Sequence, residues 1–284
     1  MTTIDAHQHF WRYNPDKYSW ITPGSSLARD RMPSDVKPLL DASGVQGCIA
    51  VQAQQDEAET DWLLALAADT PWIRGVVGWT DLTAPELDDR LARWDGTALV
   101  GIRHMVQDDA DPHWLLRPDA QAGVRLVLSR GLAYDILVRA AQLPQVPAFI
   151  DAVGIDAVGD GALVLDHAGK PDIACGQWQP WADAIRAIAA RPNIVCKLSG
   201  LVTEANHETW TADDIARYLD HLLASFGPDR LMFGSDWPVC TLAGDYARVL
   251  ALIDGVVEGS CPEHRAAIFG DTARRNYRLL ERDA

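Results

Sequence analysis

The chain has 284 residues, 48% hydrophobic and 23% charged, enough for a large packed core and against wholesale disorder. Its 25 Lys and Arg stand against 40 Asp and Glu, a formal charge of −15, which excludes nucleic-acid backbones and anionic membrane surfaces as natural partners. There is no basic stretch leading into an apolar one near Met1, no apolar run of bilayer length, and no C-x-x-C pair among the five scattered cysteines; these features predict a reduced, cytoplasmic protein with neither a disulfide frame nor a structural zinc.

Short apolar runs alternate with longer amphipathic stretches. The first strand is expected over residues 3–9, with a loop over 23–34 that carries proline and serine. A second strand over 47–53 precedes a helix over 57–69, which sets Trp62, Leu63, Leu66 and Ala67 on one face. The third strand, over 73–80, leads to a helix over 85–94 whose Pro85 suits a first turn and which aligns Leu87, Leu91 and Trp94. Strands over 99–105, 132–138 and 163–167 alternate with helices over 120–130 and 146–153. A helix over 180–190 aligns Trp181, Ile185 and Ile188 ahead of a strand over 194–199. The next helix, over 211–226, opens with Thr211 and Asp214 at capping-box spacing and ends at Gly227. An eighth strand over 231–236 and helices over 246–257 and 262–277 complete the chain. Eight near-continuous apolar strands alternating with helices predict a parallel sheet closed into a (β/α)8 TIM barrel, one domain over residues 1–284. A nucleotide-binding open sheet would carry a glycine-rich first turn, and none follows the first strand.

Polar residues gather where the apolar runs stop, which in such a barrel is the catalytic face. His7 and His9, two apart in a strand, share a face and can converge on one ion or one substrate oxygen; the alternative is a hydrogen-bonded pair shaping the barrel floor. Asp236 reads as a base that activates water, or as a turn aspartate ahead of Pro238. His167, beside Gly169 and Lys170, is placed for carbonyl polarisation or proton transfer, or is a satisfied core histidine. Alternation sends Arg103 and His104 to opposite faces; Arg103 orients a substrate oxygen or pairs with a carboxylate. Lys197 and Ser199 share a face. The chain has 11 tryptophans, and Trp11, Trp20, Trp114, Trp178 and Trp237 are expected near the mouth, where indoles pack on sugar rings.

The motifs D-x-H-x-H (Asp5, His7, His9), D-H-x-G-K-P (Asp166 to Pro171) and F-G-S-D-W-P (Phe233 to Pro238) resemble the amidohydrolase-related TIM barrels. The likeness is to the branch of sugar lactonases (L-fuconolactonase, L-rhamnonolactonase) and 2-pyrone-4,6-dicarboxylate lactonase. It implies a hydrolase that opens a small-molecule sugar lactone, with Asp236 activating water and His7, His9 and His167, helped by Arg103, stabilising the oxyanion. Tyr134, Asp135, Lys170, Trp20 and Trp237 would contact the substrate. The sequence departs from the metal-dependent pattern, because the fifth strand carries no histidine. The resemblance therefore implies a reaction that requires no cofactor, with His7, His9 and Asp236 as an incomplete site for a divalent ion such as zinc. A dicarboxylate lactonase, a metal-dependent decarboxylase and a non-catalytic sugar-binding barrel are the alternatives.

Overall fold

A computed structural model describes residues 2–154, 161–260 and 262–279. Strand β1 (Ile4–Gln8) is followed by α1 (Pro33–Ala42), β2 (Gly47–Val51), α2 (Glu57–Asp69), β3 (Ile73–Gly78) and α3 (Leu87–Ala92). Then come β4 (Leu99–His104), α4 (Pro118–Ser129), β5 (Ala133–Ile136), α5 (Val146–Val153), β6 (Leu163–Leu165) and α6 (Gln179–Ala189). The last elements are β7 (Ile194–Leu198), α7 (Ala212–Phe226), β8 (Leu231–Phe233), α8 (Tyr246–Ser260) and the short α9 (Thr272–Asn276).

The eight strands form one parallel sheet in sequence order, each paired with the next. The ring closes through a parallel bridge between Gln8 and Trp237, with His9 N–H donating to Trp237 O at 2.7 Å and Asp236 N–H to His7 O at 2.9 Å. The expected (β/α)8 barrel is thus present. Its outward-facing strand residues pack with the helices into one large core that includes Val76, Ile102, Ile136, Leu165 and Phe233. A second, inner cluster of Ile49, Val51, Val77, Val164 and Met232 fills the barrel and is capped by Tyr277 beyond α9.

Helix α7 begins at Thr211 as expected, with the Asp214 carboxylate accepting from Thr211 N–H at 2.8 Å. Helix α1 was not legible: it starts inside the segment read as loop, carries Pro38, and buries only Val36 and Leu40. The Asp35 carboxylate starts it by accepting from Met32 N–H at 2.7 Å. The expected last helix is broken into a 3-10 turn (Pro262–His264), a π turn (Ala267–Asp271) and α9. Among the described residues no helix is long and apolar enough to cross a membrane.

Candidate active site

The C-terminal ends of β1, β4, β6, β7 and β8 deliver a buried polar cluster into the barrel. A register irregularity between Asp5 and Gln8 lets His7 and His9 face inward while Asp5 turns toward α8. There Asp5 accepts from Tyr246 OH at 3.0 Å, Gln8 Nε2 at 2.7 Å and Ser235 N–H at 2.8 Å, fastening β1 to the β8 terminus.

His7 and His9 bring their Nε2 atoms to 3.1 Å, and Asp236 Oδ1 lies 3.3 Å from His9 Nε2 and 3.8 Å from His7 Nε2. His9 Nδ1 faces the carbonyl of Val51 at 2.8 Å, so that nitrogen carries a proton. The His167 ring stands 4.4 Å from that of His7, and its Nδ1 is 2.9 Å from Ser199 Oγ. Burial pushes the His167 pKa down to about 4, so the imidazole is neutral near pH 7. Burial would raise Asp236, but the imidazoles of His167, His9 and His7 outweigh it and hold its carboxyl well below the usual range. An ionised carboxylate is therefore set beside the neutral rings of His7 and His167.

Beneath these groups lies a layer of fixed charge. Arg103 donates through Nη1 to Asp166 Oδ2 at 2.9 Å and through Nη2 to Gln52 O at 2.5 Å. Lys197 Nζ is 2.5 Å from Asp135 Oδ2 and 3.1 Å from His7 Nδ1. It also lies 2.9 Å from Asp166 Oδ1, too oblique for a hydrogen bond, so that contact is ionic. Two carboxylates thus face two cations, as burial of such charges requires.

The backbone here is strained. His167, Ala168, Gly169 and Lys170 all have φ between 50° and 68°, a left-handed turn, and Asp236 has φ 59°. The non-glycine residues among them cost about 1–2 kcal/mol each, and such residues cluster where side chains must be aimed. Gly200 is required beside this turn, since a Cβ there would meet His167 Nδ1 at 2.7 Å.

A cleft of about 310 Å³ opens above the cluster, with His9, His167, Asp236 and Arg103 toward its floor and Trp20, Lys170 and Arg139 among its walls. A larger cleft, about 580 Å³, lies between the loop around Cys175 and the start of α7 and is lined by no histidine. The buried histidine and aspartate cluster lies under the smaller one.

Of the residues singled out in the sequence, His7, His9, His167, Asp236 and Arg103 come together, and Trp20 and Lys170 reach the cleft. Three substrate-contact expectations need correction. Tyr134 points outward into the core against Phe149, at 5.9 Å between rings. Asp135 points inward but lies under the cluster, held by Lys197 and by Tyr277 OH at 2.9 Å. Trp237 is buried against Phe10 and Arg31. Trp11 is fully buried, Trp114 stacks on His104 at 4.1 Å, and Trp178 packs on Trp181 and Tyr218, so of the five mouth tryptophans Trp20 alone lines the cleft. Asp166 and Gln52 were visible at strand ends but carried no signal of what they bind.

The residues fit a divalent ion geometrically. A tetrahedral zinc with bonds of about 2.0–2.1 Å sets its ligand atoms roughly 3.3 Å apart, and His7 Nε2, His9 Nε2 and Asp236 Oδ1 are mutually 3.1, 3.3 and 3.8 Å apart. His7, Asp166 and His167 form a second close group, but Arg103 and Lys197 already neutralise Asp166 there.

The chain is similar to known proteins along almost its whole length. The chain is 46% identical to an L-fucono-1,5-lactonase of Burkholderia multivorans, across 98% of this chain and 96% of that one. It is 39% identical to an L-fucono-1,5-lactonase of Burkholderia ambifaria, across 97% and 95%. A crystal structure of an amidohydrolase from Burkholderia multivorans with bound zinc superposes with a TM-score of 0.93 at 45% identity, covering 99% of this chain and all of that one. The amidohydrolase family model matches residues 4–279, and the chain belongs to that family.

Proposed function

We propose that the chain hydrolyses a sugar lactone of the L-fucono-1,5-lactone class to its aldonic acid. The observation that carries this reading is Asp236, ionised and buried among His7, His9 and His167 under a cleft of lactone size. The names of the two Burkholderia relatives supply the substrate class.

Asp236 takes a proton from a water as the oxygen attacks the lactone carbonyl. The ring carbonyl becomes a tetrahedral oxyanion, and two donors suit it. Neutral His167, with Ser199 Oγ on Nδ1, presents Nε2–H when the serine hydroxyl donates. Arg103, with its Nε unpartnered by any described residue, supplies fixed positive charge. Collapse of the intermediate breaks the bond to the ring oxygen, and Asp236 returns its proton to the departing alkoxide. A divalent ion held by His7, His9 and Asp236 would supply Lewis-acid polarisation at the same place. Trp20 offers an apolar face to the sugar ring, with its Nε1 tied to Ala53 O at 3.1 Å.

A second reading, an anionic lactone, is favoured by the presence of Arg103, Arg139 and Lys170 in one cleft. Arg139 is engaged by Asp108 at 2.7 Å, Lys170 faces Glu204 at 3.7 Å and Arg103 pairs with Asp166 at 2.9 Å, so each of these cations is already matched by a carboxylate. A pH-indicator assay of acid release over a panel of aldonolactones and one dicarboxylate lactone separates the two. Turnover of L-fucono-1,5-lactone or a stereochemical neighbour supports the first reading; turnover of the dicarboxylate alone replaces it with the second.

A further inference from the structure

The wall of the cleft carries a pair of charges that the hydrolytic steps do not use. Lys170 follows the left-handed turn that begins at His167, and its N–H donates to His167 O at 2.8 Å. Glu204 ends the 3-10 turn (Val202–Glu204) that comes soon after Ser199 and Gly200, and its carbonyl accepts from Ala174 N–H at 2.9 Å. That bond ties the loop after β6 to the loop after β7. The ends of these two strands therefore deliver two pairs, His167 with Ser199 toward the floor and Lys170 with Glu204 on the wall.

The second pair is loose. Lys170 Nζ lies 3.7 Å from Glu204 Oε1, beyond hydrogen-bond length, although the side chains are only 20% and 26% exposed. No described residue donates a hydrogen bond to the Glu204 carboxylate. Burial pushes its pKa up from 4.5 against the pull of Lys170. Asp236 and Arg139, both cleft residues, stand close enough for their charges to act on Glu204, so the carboxylate belongs to the cleft. A partly buried carboxylate short of donors is costly, and a ligand that donates to it relieves that cost.

A sugar hydroxyl has the matching chemistry, because it donates one hydrogen bond and accepts others. A gap of 3.7 Å lets one hydroxyl oxygen sit within about 2.8 Å of both the ammonium and the carboxylate. The pair is also neutral as a whole, which suits an uncharged polyol better than a carboxylate. We propose that Lys170 and Glu204 form a specificity element that reads one ring hydroxyl of the lactone, with Lys170 donating to it and Glu204 accepting from it. The inference rests on the sugar-lactone reading of this cleft and names the part of the substrate that the wall recognises.

The test crosses enzyme variants with deoxy substrates. Wild type, Glu204→Met and Lys170→Met are each assayed by acid release on the aldono-1,5-lactone that the wild type turns over, and on analogues that each lack one hydroxyl. In the wild type, loss of one particular hydroxyl should cut kcat/KM about tenfold to 100-fold, chiefly through KM, the worth of a hydrogen bond to a charged group. Glu204→Met should lose a similar factor on the full substrate, and little more on that deoxy analogue, because the contact is already gone. Lys170→Met should single out the same hydroxyl, so the proposal stays testable if one variant fails to fold. If every hydroxyl costs the same factor in the variants as in the wild type, the pair only supports its loops; the proposal then falls while the lactonase reading stands. If the wild type turns over no aldonolactone, both fall together.

Discussion

His9 Nε2 and Asp236 Oδ1 stand 3.3 Å apart across the seam where the first strand of the barrel meets the last. The contact exists because His9 N–H and Asp236 N–H each donate to the backbone of the other terminus, so closing the barrel also assembles the site. Both side chains are almost fully buried, so the seam sets their geometry without help from a mobile loop.

Asp236→Asn is expected to lower kcat/KM on the active lactone by about 10²–10⁴, the usual worth of a positioned base. Asparagine tolerates the left-handed φ of 59° at this position, so the fold should survive the change. Initial rates and circular dichroism on the same sample check it, and unchanged turnover would remove Asp236 from the mechanism.

Trp20→Ala should raise KM more than it lowers kcat, because Trp20 lines the cleft and makes no contact with the acid–base cluster. Tyr134→Phe should leave both constants unchanged and stability equal or slightly higher. Its hydroxyl is buried with no described partner, and an unpaired buried polar group costs about 1–3 kcal/mol. Michaelis curves and thermal melts of both variants give the answer, and a kinetic defect in Tyr134→Phe would reverse the assignment.

That pair of residues also shows where sequence reading stops. Strand periodicity and strand-end polarity were enough to find the barrel, and to bring together His7, His9, His167 and Asp236. They could not tell which of Tyr134 and Asp135 enters the barrel, because only register decides that, and the outcome put Tyr134 in the outer core and Asp135 inside. Motif membership misplaced Trp237 in the same way: its peptide N–H is bound to Ser235 Oγ at 3.0 Å and its ring packs on Phe10. Asp135 read as a substrate contact and Lys197 as sharing a face with Ser199; their pairing with each other across the barrel interior, between β5 and β7, leaves no periodic trace. Helix α1 was lost because its proline content and weak apolar stripe resemble a loop.

Gly200→Ala should damage catalysis from outside the cluster. The new Cβ would meet His167 Nδ1 at 2.7 Å, on a residue whose φ of 68° already disfavours alanine. His167 would lose its contact with Ser199 Oγ, so kcat should fall at least about tenfold, and stability should fall by about 1 kcal/mol or more. Ser199→Ala, which removes only the hydroxyl, should give a milder loss of kcat with KM near wild type. Equal kinetics in Gly200→Ala and wild type would mean that His167 needs no fixed orientation.

The last prediction concerns pH and the wall that carries Trp20. Glu59 at the start of α2 is buried, accepting from Ala53 N–H and Gln54 N–H at 2.8 Å and from Tyr18 OH at 2.9 Å. It thereby ties the loop after β1 to the end of β2. Burial outweighs these donors and pushes its pKa up from 4.5 to about 7. The sign follows from proton counting: between these values the folded chain binds more protons at this group than the unfolded one, so its contribution to stability declines as pH rises through that window. Glu59→Gln keeps an acceptor for the two backbone N–H groups but cannot ionise. Relative to wild type it should therefore gain stability steadily as the pH is raised from about 5 to about 8. Thermal melts of both proteins across that range measure the difference. A constant difference, or one that shifts in favour of the wild type with rising pH, would mean that Glu59 is comfortably ionised where it lies and that its hydrogen bonds outweigh burial.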